Sequence, residues 1–305
     1  MTRLSPIQTD LTAAQPGAGG SVQSGAGGTQ SLGQVLVRMG KLDPTQIEDI
    51  LAWQKTHDCN FGEAVTAMGL VSRVDVVAAL AEQYQYPIVH ENTALQGVSH
   101  DLVVAHDPFG AGAEAIRAIR SPLLNNWLGK EMRSLAVIGT KRGDGSTYFA
   151  ANLALSLAQL GVATMLVDAN LRHPHVAELF NLSSRSEGLS NVLRMPKLDK
   201  LPILYDVLPS LSVVLAGALP PNPQELLSGQ RFVDLVDILE REFEAVIYDT
   251  PAGCETADAH VVAARAGCAV LVARRNRATH KDVRTLSGHV RETGCNVLGT
   301  VLNEH

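Results

Sequence analysis

Two kinds of hydrophobic spacing divide this chain. Between residues 31 and 90 the apolar positions fall at helical intervals, and they do so twice. Leu32, Gly33, Leu36, Gly40, Leu42, Ile47, Leu51 and Gln54 recur 29 positions later as Phe61, Gly62, Val65, Gly69, Val71, Val76, Leu80 and Gln83. Such a repeat predicts one supersecondary unit used twice. In each copy a short helix runs to a glycine suited to a C-cap, Gly40 or Gly69, and Asp43 or Ser72 then caps a second amphipathic helix. The expectation is a pair of stacked helical hairpins.

Over 91–113 this spacing fades into a stretch with Gly, Pro and His, read as a linker. From 114 to 305 short β-rich runs alternate with helical patterns. The expected strands are Ser134–Ile138, Thr164–Val167, Leu211–Leu215, Ala245–Tyr248, Cys268–Ala273 and Val297–Leu302. This alternation predicts an α/β domain, a mostly parallel sheet flanked by helices, preceded by the small helical repeat domain. Ligands of such sheets bind at the carboxyl ends of the strands. Residues 1–30 are rich in Gly, Ser, Gln and Thr, bury too little to offset chain entropy, and read as a disordered tail.

Composition narrows the choices. A length of 305 residues accommodates two folded units. The net charge of −6 weighs against a general affinity for nucleic acid or anionic lipid, so no nucleic-acid partner is expected. The four cysteines, Cys59, Cys254, Cys268 and Cys295, are widely spaced and suggest neither a zinc cluster nor a disulfide framework. The sequence shows neither a long apolar run nor a basic-then-apolar leader, so a cytoplasmic location is expected.

The chemistry concentrates where the first β-rich run ends. Gly139-Thr140-Lys141-Arg142-Gly143-Asp144-Gly145-Ser146-Thr147 lies between the strand Ser134–Ile138 and a helical stretch from Tyr148 to Leu160. Strand, glycine-rich loop and helix are the parts of a phosphate-binding P-loop, in which backbone N–H groups and the helix N-terminus face the anion. The usual pattern places a lysine before the final Ser or Thr. Here Ser146 stands in the lysine's place, while Thr147 keeps the hydroxyl that holds magnesium; for the loop taken alone, a plain strand-to-helix turn is the alternative. Asp168 and Asp249 each follow a buried run, where carboxylates beside a P-loop serve a magnesium-bound nucleotide. Either one alone would also serve as a helix cap or turn residue.

In their order, these segments resemble the bacterial tyrosine kinases of exopolysaccharide export, relatives of the MinD/ParA-like ATPases. Gly143-Asp144-Gly145-Ser146-Thr147 is similar to the family's Walker A loop, Asp168-Ala169-Asn170-Leu171-Arg172 to its Walker A′ motif, and Asp249-Thr250-Pro251 to Walker B. Supporting segments, including Pro220-Pro221-Asn222-Pro223, Asp258-Ala259 and Val301-Leu302-Asn303, occur in family order. The resemblance implies ATP and Mg2+ as cofactors, with Lys141, Gly143, Asp144, Gly145, Ser146, Thr147 and Arg172 around the nucleotide. It also implies Thr147, Asp168 and Asp249 toward the metal, and Asp168, Asn170 and Asp249 in catalysis. Lys141 matches the extra signature lysine of MinD/ParA-like loops; an ordinary exposed loop lysine is the other reading. Glu114, Arg117 and Arg120 resemble the Glu-x-x-Arg-x-x-Arg motif that joins subunits into a ring, which implies a homo-oligomer, against the alternative of a solvated Glu–Arg face. The implied partner is the membrane-embedded chain-length (polysaccharide co-polymerase) protein of a polysaccharide exporter, which would recruit this chain to the inner face of the cell membrane.

Departures from the family pattern qualify the activity. Ser146 replaces the Walker A lysine, Asn170 replaces the second Walker A′ aspartate, and the sequence ends at Glu304-His305 without a tyrosine cluster. Weakened catalysis is expected, because phosphoryl transfer relies on charge stabilisation. The two repeat units are similar to those in the N-terminal domain of type II secretion and type IV pilus ATPases, some of which bind cyclic di-GMP. Ser31 and Asn60 stand where those units open with arginine, so weak or no binding of cyclic di-GMP is expected, and a helical docking domain is the favoured reading. A regulatory ATP-dependent tyrosine kinase of exopolysaccharide chain length is the leading reading of the whole. A non-catalytic adaptor of the export complex and a ParA-like ATPase are the alternatives.

Overall fold

A computed structural model of the chain describes residues 31–84, 98–130, 132–182, 187–195 and 205–304. The tail expected over 1–30 lies outside these. In the repeat, α1 (Leu32–Arg38), α2 (Ile47–His57), α3 (Phe61–Ala67) and α4 (Arg73–Gln83) enclose a small core of Val35, Leu36, Ile50, Val65 and Ala79. Gly40 and Gly69 adopt φ of +69° and +68°, the left-handed conformation that ends α1 and α3. Ion pairs tie the two copies together: Arg38 to Glu82 at 2.7 Å and Lys41 to Asp75 at 2.8 Å. Ser31 and Asn60 each form a capping box, with Gln34 and Glu63 respectively. The side chains at the two former arginine positions therefore secure helix N-termini.

The second unit is built on a seven-stranded sheet, with strand order β3-β4-β2-β5-β1-β6-β7. In chain order it contains α5 (Val103–His106), α6 (Ala111–Asn126), β1 (Ser134–Gly139), α7 (Ser146–Ala158), β2 (Thr164–Asp168), α8 (Val176–Leu179), α9 (Leu189–Val192), β3 (Tyr205–Leu208), β4 (Leu211–Val214), α10 (Pro223–Ser228), α11 (Gln230–Glu242), β5 (Ala245–Thr250), α12 (Asp258–Ala266), β6 (Cys268–Arg274), α13 (His280–Glu292) and β7 (Asn296–Asn303). Neighbouring strands run parallel except β3, which pairs antiparallel with β4. All six expected strands are present. β3 was not expected: its four residues include Asp206 and lack alternation, and it forms by folding back on β4 across the Pro209-Ser210 turn.

Strand side chains alternate between two apolar layers, as pleating requires. Leu135, Val137, Leu166, Ile247 and Val270 pack under α5, α6 and α7, whereas Ile138, Met165, Val167, Tyr248 and Leu271 meet α11, α12 and α13. On the second face Phe232 of α11 lies edge-on to Tyr248, with ring centroids 5.8 Å apart. This double cover leaves the carboxyl edge of the central strands as the place where loops converge.

The linker reading of 91–113 needs correction. Residues 91–97 lie outside the described ones, but 98–113 belong to the α/β core: Leu102, Val104 and Ala113 are fully buried in it. A polar stripe on α7 explains the attachment. Asn152 accepts from Val104 N and donates to Asp101 O, Gln159 donates to Val104 O, and Ser156 takes two bonds from the Arg120 guanidinium, at 2.6 and 2.9 Å. Positions 152, 156 and 159 share one helical face, so a single row of polar groups fastens both α5 and α6 to α7.

Within one chain Arg120 is thus buried and bonded to Ser156, so a solvated Glu–Arg face, the alternative reading, does not include it. Removing it leaves Ser156 without its charged donor, so Arg120→Ala is expected to lower unfolding stability by about 2 kcal/mol. Denaturant melts read this directly. An unchanged midpoint alongside an altered sedimentation profile would instead return Arg120 to an interface role.

Candidate functional site

The phosphate loop hangs between β1 and α7, and its shape is fixed by groups that sequence spacing alone does not reveal. Gly145 enters α7 at φ +91°, and a Cβ there would overlap Asn303 Nδ2, which itself donates to Asp144 O at 3.1 Å. Only glycine meets both demands. Asp144 is buried, its Oδ2 accepts from Lys141 N at 2.8 Å, and burial raises its pKa. The Asp144 side chain therefore closes the loop on itself. From outside, Arg274 donates to Gly143 O at 3.3 Å, and Glu255 accepts from Arg142 N at 2.9 Å.

Asp168 and Asp249 end adjacent central strands in direct register, and both are buried. Asp249 Oδ2 accepts the Thr147 hydroxyl at 2.7 Å, while its Oδ1 is buried with no hydrogen-bond partner among the described residues. Asp168 accepts from Asn170 N at 3.2 Å and Val176 N at 3.3 Å. Burial pushes Asp249 up to about 7 against the opposing Thr147 bond. Asp168 is also raised well above the ordinary carboxylate range, first by burial and then by the charge of Asp249. The orphaned Asp249 oxygen beside the Thr147 hydroxyl suits a hard cation that takes oxygen ligands. Among the described residues no group of three or more His, Cys, Asp and Glu side chains could hold a metal. Such a pair therefore fits magnesium, which usually keeps waters and phosphate oxygens among its ligands.

A cavity of about 390 Å³ lies beside the loop, lined by Lys141, Gly143, Gly145, Ser146, Thr147, Asn170, Arg172 and Thr250, among others. It gathers seven of the expected site residues, Lys141, Gly143, Gly145, Ser146, Thr147, Asn170 and Arg172, whereas Asp168 and Asp249 are buried and do not line it, Asp249 meeting it through its bond to Thr147. The Glu114, Arg117 and Arg120 group stands apart on α6, where Arg117 bonds Glu114 at 2.9 Å and Pro108 O at 2.6 Å. Two of the cations lining the cavity, Lys141 and Arg172, are engaged by carboxylates, while Arg142 also lines it. Arg172 grips the buried Asp258 with two bonds, at 2.7 and 3.1 Å, and Lys141 Nζ reaches Asp282 at 2.6 Å, helping to hold the Asp282 carboxyl down at about 2. Asn170 Oδ1 accepts from His173 N at 3.1 Å and so shapes the turn after β2. Sequence reading missed Asp282, Glu255, Arg274 and Arg277 as neighbours of the loop. The basic run Arg274-Arg275-Asn276-Arg277 just past a strand end was the available signal.

No family model matches the chain. Among curated proteins it is 32% identical over 192 residues to tyrosine-protein kinase CpsD of Streptococcus agalactiae, covering 63% of this chain and 82% of CpsD. It is 32% identical to tyrosine-protein kinase Etk of Escherichia coli over 203 residues, covering 66% of this chain but only 28% of Etk. The chain thus spans little more than a quarter of the longer relatives it matches. Among solved structures, the chimerical protein CapA2B2 superposes with a TM-score of 0.62 and 29% identity, over 75% of this chain and 98% of that one.

The buried carboxylates give a pH signature. A carboxyl whose folded pKa lies above its unfolded value binds protons more tightly when folded. Folding stability therefore falls as pH rises from about 3.8 toward about 7. Asp249→Asn abolishes that loss at one site. Without nucleotide or magnesium, the variant should match the wild type near pH 4 and exceed it near pH 8 by about 1 kcal/mol or more in urea melts. Equal stability of the two proteins across that range would show that Asp249 is not held at a raised pKa.

Proposed function

The chain belongs to the bacterial tyrosine-protein kinase family, and from that membership we propose that it binds magnesium–ATP at the carboxyl edge of its sheet and acts as a kinase-like regulator of polysaccharide chain length and export, with weakened catalysis. The observation that carries this reading is the Thr147–Asp249 hydrogen bond at the end of the phosphate loop, beside a carboxylate oxygen with no hydrogen-bond partner among the described residues. Backbone N–H groups of Gly143 to Thr147 would receive the phosphates, with the N-terminus of α7 adding its dipole. Magnesium, held by Thr147 and Asp249 with Asp168 alongside, would offset charge on the phosphates.

Weak catalysis follows from Ser146 and Asn170, since a hydroxyl and an amide carry no charge where the family pattern has a lysine and a carboxylate. The proposed partner is the membrane-embedded chain-length protein of an exporter. Among the described residues no helix is long and apolar enough to cross a membrane, so attachment to the membrane would come through that partner. An adaptor that uses the phosphate-loop domain only as a scaffold is the second reading, favoured by the engagement of Lys141 and Arg172 with Asp282 and Asp258.

Two measurements separate these readings. Calorimetry should detect weak, magnesium-dependent ATP binding that Asp249→Ala diminishes; unaltered binding in that variant would remove this site from consideration. Restoring charge with Ser146→Lys and Asn170→Asp together should speed ATP hydrolysis or phosphorylation of a supplied tyrosine peptide at least tenfold, or about 1.4 kcal/mol of barrier. A double variant that folds, engages its partner and stays inactive would favour the scaffold.

A further inference from the structure

The rim of the phosphate loop carries a cation contributed from outside the loop. Past the end of β6 the chain turns back through Asn276, in left-handed conformation at φ +61°, and lays Arg277 over the loop. Arg277 O lies 3.5 Å from Lys141 Nζ, and its guanidinium packs on Gly143 so closely that a Cβ there would lie 3.0 Å from an Arg277 terminal nitrogen. Nε stands 3.8 Å from Asp144 Oδ1, a buried oxygen with no hydrogen-bond partner among the described residues. That separation is too long for a hydrogen bond, so the attraction is electrostatic and leaves the planar donor fork uncommitted. The side chain is half exposed, at 49%. By contrast Lys141 and Arg172 are held by close carboxylates, and Ser146 contributes no charge.

We propose that Arg277 is a phosphate-binding residue of this domain, whose guanidinium supplies from the turn after β6 the positive charge that Ser146 does not. The ligand class is a nucleoside di- or triphosphate, and the inference rests on the nucleotide reading given above. Asp144 attracts the guanidinium to the loop without satisfying it, and an arriving phosphate oxygen offers the two-pronged acceptor that the fork suits. Gly143 matters here for space as well as conformation, because a side chain at that position would push the guanidinium away from the loop.

The test is titration of the full chain with magnesium–ADP. Arg277→Ala should weaken binding about tenfold or more, and Arg277→Lys should recover most of that loss. In a Ser146→Lys background the same Arg277→Ala change should weaken binding less than about threefold, because two groups that serve one role are not additive. If Arg277→Ala fails to fold, Arg277→Gln, which keeps much of the aliphatic stem and a polar but uncharged end, carries the measurement. Wild type that binds no ADP overturns the nucleotide reading and this inference with it. Wild-type binding left unaltered by Arg277→Ala overturns the inference alone. So does a loss of the same size in the Ser146→Lys background, which would mark Arg277 as loop packing unrelated to the missing lysine.

Discussion

The site depends on two carboxylates buried side by side. Asp168 and Asp249 face each other in register at the ends of β2 and β5, and desolvation there penalises the charged form of both. Three backbone or hydroxyl donors ease the penalty without cancelling it. A fold stabilised only for itself would place apolar side chains at such positions. Retaining the pair makes sense if a divalent cation joins them, and the raised pKa values express the same shortage of positive charge among the protein's own groups.

Around this pair positive charge has been moved outward. The position that touches phosphate in the family pattern is a serine, while the next layer holds Lys141 on Asp282, Arg172 on Asp258, Arg274 on a loop carbonyl and Arg277 above Asp144. Most of these cations act on the protein itself: they brace the loop, the turn after β2 and the first turn of α13. The loop accordingly has the shape of a nucleotide site with its strongest electrostatic contact removed. Shape and charge, which usually arrive together in this motif, can here be altered one at a time.

The fold was legible to the degree that it rests on local pattern. Short β-rich runs located six strands, because burial on both faces of a sheet leaves continuous apolar stretches, and a 29-residue repeat located four helices, because burial on one helix face writes itself into spacing. β3 escaped because its partner, not its own residues, makes it a strand. The segment 98–113 was misread for a related reason: its Gly, Pro and His suggested a linker, while the groups that bury it, Asn152 and Gln159, lie some fifty residues away on α7. Polar residues at helical spacing inside an otherwise apolar helix were the overlooked clue. The loop, Thr147, Asp168 and Asp249 were legible because their chemistry demands fixed order along the chain. Asp282, Arg274 and Arg277 were not, since only folding brings α13 and the end of β6 against the loop. Arg120 shows the opposite failure, in that charges spaced along a helix say nothing about which of them faces inward.

The row Asn152, Ser156 and Gln159 does more than glue helices together. Helices α5 and α6 are fastened to α7 along its length, and the first turn of that helix carries Ser146 and Thr147. Mechanically, α7 is a shaft with the phosphate loop at one end and two helices fastened along it. A pull on α5 or α6 would load that shaft, and a shift of its first turn would load those helices in return.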